Sequence, residues 1–219
     1  YEVITEESIV NALVGLCATG GSTNHTIHLI AIARAAGITI NWDDFNDISD
    51  VVPSLTRVYP NGSADINHFQ ACGGMGFLMR TLRAGGYLNE QVKTAMGEGL
   101  EWYTKEPHMH NGALEWRDAP MQSLDTNVLR GVEDPFDATG GLKTLAGNIG
   151  RSVIKVSSVK PEHRYVKAPA VVFEDQNDGI EAFKRQELNT DVVVVVRNQG
   201  AHSIGMPGLH KLTATWGLF

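Results

Sequence analysis

Six consecutive residues, Thr19-Gly20-Gly21-Ser22-Thr23-Asn24, place two glycines, three hydroxyls and an amide directly ahead of the apolar run IHLIAIARAAG. Free backbone N–H groups and hydroxyls at the start of a helix favour negative charge, so this stretch suits a phosphate or carboxylate cradle. The same residue types also serve as helix caps and tight turns, and that structural use competes with the first. Neither Gly-x-x-x-x-Gly-Lys-Ser/Thr nor Gly-x-Gly-x-x-Gly is present, which sets aside the common nucleotide-binding loops. A second constellation, NGSADINHFQACGGMG, holds Asp65, Asn67, His68 and Cys72. His68 with Asp65 has the chemistry for acid–base work or metal ligation, or is a surface histidine on a helix. His108 and His110 in EPHMHNG bind a metal only if further ligands converge on them and otherwise belong to a solvated loop. Cys17 reads as a small core residue on the apolar face of its helix; Cys72 stays open between packing and chemistry.

The elements that must position these groups change character along the chain. TEESIVNALVGLCAT puts Ile9, Leu13, Leu16 and Cys17 on one helical face, with Thr5 and Ser8 available as caps. A second helix starts at Ser22 or Asn24, runs to Ala36 and stops at Gly37. A third opens at Asn41, where NWDDFNDISD supplies a cap and acidic residues for the positive helix end. INHFQACGGMGFLMRTLRAGG reads as helix on both sides of Gly73-Gly74, and NEQVKTAMGEGLEWYTKE as a further helix. HNGALEWRDAPMQSLDTN reads as a hairpin or extended excursion, and DATGGLKTLAGNIGR as a Gly-rich connector. Beyond Gly150 the period approaches two: RSVIKVSSV, RYVKAPAVVFED and TDVVVVVRN read as strands, with DGIEAFKRQEL a short helix between the last two. The five valines from Val192 to Val196 predict a strand buried on both faces. NQGAHSIGMPGLHK then follows it as a Gly-rich loop at a strand's C-terminal end, where α/β folds place ligand contacts.

The 219 residues carry a formal charge of −7, with 42% hydrophobic and 20% charged residues, enough for a sizeable core in one large domain or two unequal units. Lysines and arginines do not cluster, which argues against nucleic acid and anionic membrane surfaces. No apolar run reaches the ~18 residues that span a bilayer, and no secretory signal is visible, so a cytoplasmic protein is expected. Two cysteines, Cys17 and Cys72, support neither a disulfide framework nor a closed thiolate site. The residues alone therefore lead to an α/β protein suited to an anionic small molecule.

The string ATGGSTNHTIHLIAIARAAGI, with WDDFNDISDVVPSLTRVYPNGSADINHFQACGGMGFLMRTL, resembles the dihydroxy-acid and phosphogluconate dehydratase family. GEGLEWYTKEP, NGALEWRDAP, SLDTNVLR, GGLKTLAGNIGRSVIKVSSV, APAVVFEDQNDGIEAFK and GMPGLHKLT extend the resemblance along nearly the whole chain. DINHF and NGALEWRD favour its phosphogluconate branch.

The resemblance implies an α/β fold in which residues 1–150 are the helix-rich end of a catalytic domain and residues 151–219 the first strands of a β-barrel-like C-terminal domain. It implies a hydro-lyase that dehydrates a sugar-acid phosphate, 6-phospho-D-gluconate, with an iron–sulfur cluster of the 4Fe–4S type and a divalent metal. The full-length protein would be a homodimer. Gly21, Ser22, Thr23 and Asn24 are the expected substrate-anion contacts; the catalytic base and the cluster ligands are expected outside this chain. Cys17 and Cys72 stand where relatives carry apolar or small residues, so no ligand role passes to them. Gly208 stands where the family has an acidic metal ligand, and the closing TATWGLF departs from the pattern. The chain is thus expected to be an internal piece of a longer enzyme. The alternatives are a dehydratase of another sugar acid or dihydroxy acid, or a non-catalytic remnant.

Overall fold

A computed structural model describes residues 2–200 together with Ser203, Gly205 and Leu212. The chain divides into two compact units, one running to Val159 and the other starting at Lys160.

The first unit opens with three helices whose limits follow from their caps. Helix α1 (Glu6–Thr19) begins at a capping box in which Thr5 and Ser8 exchange side-chain and backbone hydrogen bonds. Its apolar stripe, Ile9, Leu13, Leu16 and Cys17, is buried as the spacing predicts. Helix α2 (Asn24–Ala35) is half-buried, with only Thr26 and Ala33 fully enclosed. Helix α3 (Trp42–Val51) starts at Asn41, whose side chain accepts from Asp43 N–H at 2.7 Å while Asp44 accepts from Asn41 N–H at 2.7 Å. Two further helices, α4 (Ile66–Ala71) and α5 (Gly74–Ala84), flank Gly73. These helices close on a core that includes Leu13, Cys17, Phe45, Leu55, Leu78 and Leu129.

Two segments depart from the sequence reading. NEQVKTAMGEGLEWYTKE is not a helix. It forms a small hairpin, β1 (Lys93–Thr94) and β2 (Gly97–Glu98), and then a 3-10 turn over Glu101–Thr104. Gly97 and Gly99 adopt φ of 112° and 76°, and the Thr94 hydroxyl binds Met96 N–H and Gly97 C=O, so local turn chemistry overrides the helical period. DATGGLKTLAGNIGR is not a connector either. It forms β5 (Leu142–Gly147) and the turn into β6 (Gly150–Lys155), an antiparallel hairpin. That hairpin is laid along α3: Leu142 N–H donates to Ser49 Oγ at 3.3 Å, and Thr144 binds Asn46 Oδ1 and Trp42 C=O. Gly150, where the sequence changes character, therefore sits in the hairpin, nine residues before the units divide.

The excursion expected around HNGALEWRD is a regular hairpin, β3 (Lys105–His110) with β4 (Ala113–Asp118). Its tip, Asn111-Gly112, has φ of 49° and 79°, the left-handed pair that a two-residue hairpin turn needs. His108 and His110 lie on β3, not in a solvated loop, with ring centroids 6.3 Å apart.

In the second unit β7 (Ala170–Phe173) and β8 (Val193–Val196) pair in parallel, and α6 (Gln176–Lys184) connects them. The valine strand is not buried on both faces: Val193 is exposed and its three successors are half-buried. Among the described residues this unit shows one strand pair and no closed barrel. The chain is of mixed α/β class. Among the described residues no helix is long and apolar enough to cross a membrane.

Candidate functional site

The Gly-rich stretch forms the turn between α1 and α2. Gly20 takes φ 54° and ψ 44°, and Gly20 and Gly21 N–H donate back to Cys17 and Leu16 C=O at 3.2 and 3.0 Å, which closes α1. Ser22 Oγ accepts from Asn24 N–H at 3.2 Å, although the N-cap position itself is held by Thr23. Asn24 is the first residue of α2. Thr23 has helical dihedrals, no side-chain capping bond and an exposed side chain. The four residues singled out from the sequence, Gly21, Ser22, Thr23 and Asn24, are thus contiguous at the N-terminus of a 12-residue helix. The backbone donors of Gly20, Gly21 and Asn24 are already used inside the turn.

What holds this turn in place is a residue that the sequence reading did not single out. Asn61, 8% exposed, donates from Nδ2 to Gly20 C=O at 2.9 Å and to Thr19 C=O at 3.3 Å. Its Oδ1 accepts from the Ser157 and Ser158 hydroxyls, both at 2.9 Å. Thr56 Oγ1 adds a bond to Thr19 C=O at 2.7 Å. A Cβ on Gly20 would fall 2.1 Å from Asn61 Nδ2, so a glycine is required there by contact as well as by conformation. The local signal, Pro-Asn-Gly, announces only a turn; the partners lie 41 and 96 residues away.

The second constellation assembles differently from the expectation. Asp65 is the N-cap of α4, accepting from His68 N–H at 2.8 Å, and is not the acid partner of the His68 ring. That partner is Asp125, whose Oδ2 lies 3.0 Å from His68 Nε2. Cys72, 2% exposed, completes a group whose ligand atoms all lie within 4.8 Å of one another. Asn127 N–H, bound to Asp125, holds that carboxyl below the usual carboxylate range, with the Asn127 and His68 side chains adding to the effect. Burial pushes the Cys72 thiol up, and the Asp125 charge adds to the shift. Cys17 is enclosed in the core beside Ser49, and burial pushes its thiol up to about 11. Gly208 and the Gly-rich loop after the valine strand lie, apart from Asn198, Gln199, Gly200, Ser203 and Gly205, outside the described residues.

The molecule is thus a mixed α/β chain with an amide-anchored glycine turn at a helix start. The family model described as dihydroxy-acid/6-phosphogluconate dehydratase N-terminal matches residues 1–105, and its C-terminal counterpart matches residues 127–218. The chain belongs to the dihydroxy-acid/6-phosphogluconate dehydratase family. It is 55% identical over 217 residues to the phosphogluconate dehydratases of Pseudomonas aeruginosa and Escherichia coli K12, covering 99% of this chain and 36% of each relative. It is 36% identical over 213 residues to a dihydroxy-acid dehydratase of Caldanaerobacter subterraneus, covering 96% of this chain and 35% of that relative. The chain therefore spans about a third of the length of the curated relatives it matches.

Dehydratases of this family typically depend on a metal or an iron–sulfur centre. The residues of this chain do not fit a thiolate-held cluster. Its two cysteines are separate, Cys17 beside Ser49 in the core and Cys72 beside His68 and Asp125, whereas such clusters take about four cysteine thiolates.

Proposed function

We propose that the chain is part of a cytoplasmic hydro-lyase, a homodimer at full length, that removes water from 6-phospho-D-gluconate. The product is 2-dehydro-3-deoxy-6-phospho-D-gluconate, in the Entner–Doudoroff pathway. The observation that carries this reading is the identity contrast: 51–55% to phosphogluconate dehydratases from several bacteria, against 36% to a dihydroxy-acid dehydratase, along nearly the whole chain. An iron–sulfur cluster of the 4Fe–4S type belongs to this proposal, with its ligands outside this chain.

Within the chain, the turn Gly21–Asn24 is our candidate contact for an anionic group of the substrate. Supporting it are the exposed Ser22 and Thr23, the positive end of α2, and the Asn61 anchor that keeps the turn in one geometry.

A full-length protein carrying this segment, assayed for 2-keto acid formation, is expected to prefer 6-phosphogluconate over gluconate and over an unphosphorylated branched-chain dihydroxy acid. Preference for the latter would transfer the chain to the other branch. The 219-residue chain alone, reconstituted with iron and sulfide, is expected to show no turnover above a protein-free control. In the full-length protein Thr23→Val should lower kcat/KM by roughly one to two orders of magnitude if its hydroxyl meets a charged substrate group. Near-normal kinetics with a lower Tm in Thr23→Val and Ser22→Ala would return the turn to a purely structural role.

A further inference from the structure

We propose that His68, Cys72 and Asp125 form a binding site for one soft divalent transition-metal ion of the zinc class, with one coordination position left open. His68 and Cys72 are four residues apart on α4 and its C-cap, so both side chains leave the same face. Asp125 arrives from the chain beyond β4, and Leu124 N–H donates to Cys72 C=O at 3.0 Å, which ties that segment to the end of the helix. The three ligand atoms, an imidazole nitrogen, a sulfur and a carboxylate oxygen, lie within 4.8 Å of one another. Among the described residues no other three such groups converge in this way.

The two oxygens of Asp125 are differentiated. Oδ1 accepts from Asn127 N–H at 2.9 Å and Asn127 Nδ2 at 3.1 Å, while Oδ2 faces His68 Nε2 at 3.0 Å. One oxygen is anchored and the other is presented to the cluster, the arrangement that outer partners impose on a ligating carboxylate. Zinc bonds of about 2.0–2.3 Å put tetrahedral ligands roughly 3.3–3.7 Å apart, so small side-chain rotations close the present spacing onto an ion. Sulfur with imidazole selects zinc-like ions over magnesium, which requires oxygen ligands. Cys72 is enclosed, whereas His68 and Asp125 reach the surface and leave a route of entry. On binding, the Cys72 S–H proton passes to solvent, the sulfur bonds to the ion as thiolate, and neutral His68 donates its Nε2 lone pair. A proton that the neutral His68 ring carries on Nε2, facing Asp125, moves to Nδ1, so the ring stays neutral as Nε2 turns to the ion.

Cobalt(II) titration of the untagged 219-residue chain tests this. The expected result is a thiolate-to-cobalt charge-transfer band saturating at one cobalt per chain, displaced by zinc(II) and unaffected by excess magnesium(II). Cys72→Ala should abolish the band and weaken cobalt binding at least about 100-fold; Asn127→Ala should weaken it about 10-fold by freeing the Asp125 side chain. Cys17→Ala should leave the band unchanged. X-ray absorption of the zinc-loaded wild-type chain, which needs no variant, should report one sulfur among nitrogen and oxygen neighbours. Absence of the band, its persistence in Cys72→Ala, its loss in a folded Cys17→Ala, or a sulfur-free zinc shell would each overturn the proposal.

Discussion

Cys17 and Asn61 show how a single residue can carry a testable share of the stability. The Cys17 thiol, ordinarily ionising near 9.0, is held protonated up to about 11 in the folded chain. Between those values the native state binds more protons than the unfolded state, so stability falls as pH rises through this window and levels off above it. A gap of this size corresponds to about 2–3 kcal/mol. Cys17→Ala should flatten that part of the curve, and an unchanged alkaline slope in urea midpoints would show that the loss comes from elsewhere. Asn61→Ala strands Gly20 C=O and removes the shared acceptor of Ser157 and Ser158, with an expected loss of about 1–3 kcal/mol. Asn61→Asp should be worse, because an oxygen would then face the two carbonyls that Nδ2 now serves. Chemical denaturation of both variants checks the order.

At the scale of elements, the first protease cut is expected in the exposed stretch 160–167 that opens the second unit. For trypsin this means cleavage after Arg164 or Lys167, since Pro161 protects Lys160. An initial cut inside residues 143–151 would contradict the hairpin of β5 and β6 on α3. That hairpin marks the limit of what was legible in the sequence. The limits of α1 and α3 could be read because their caps are local: Thr5 with Ser8, Asn41 with Asp44. The glycines of DATGGLKTLAGNIGR suggested a flexible connector, because the partner that orders them, Ser49, lies 93 residues away from Leu142. NEQVKTAMGEGLEWYTKE had enough apolar spacing for a helix, and Gly97 and Gly99 decided otherwise. At the site, His68 was legible and its partner was not. Asp65 stands closer in sequence but is consumed by capping, and Asp125 comes from 57 residues away.

At the scale of the whole molecule, the chain has two compact units and spans about a third of the length of the curated relatives it matches. The same sequence also sets how the molecule ages. Asn61-Gly62 and Asn111-Gly112 are both Asn-Gly pairs, the pairing in which the following backbone nitrogen most readily attacks the side-chain amide. That attack expels ammonia, and water then opens the ring to aspartate or isoaspartate. Asn111 stands at the tip of β3 and β4, exposed, with no side-chain bond among those described. Asn61 has its amide held by four hydrogen bonds. Stored protein should therefore deamidate first at residue 111, seen by peptide mass mapping, gaining a negative charge without loss of fold. Conversion at residue 61 should be found mainly in protein that has already unfolded, so the ratio of the two products records how much of a stored sample has let its glycine turn open.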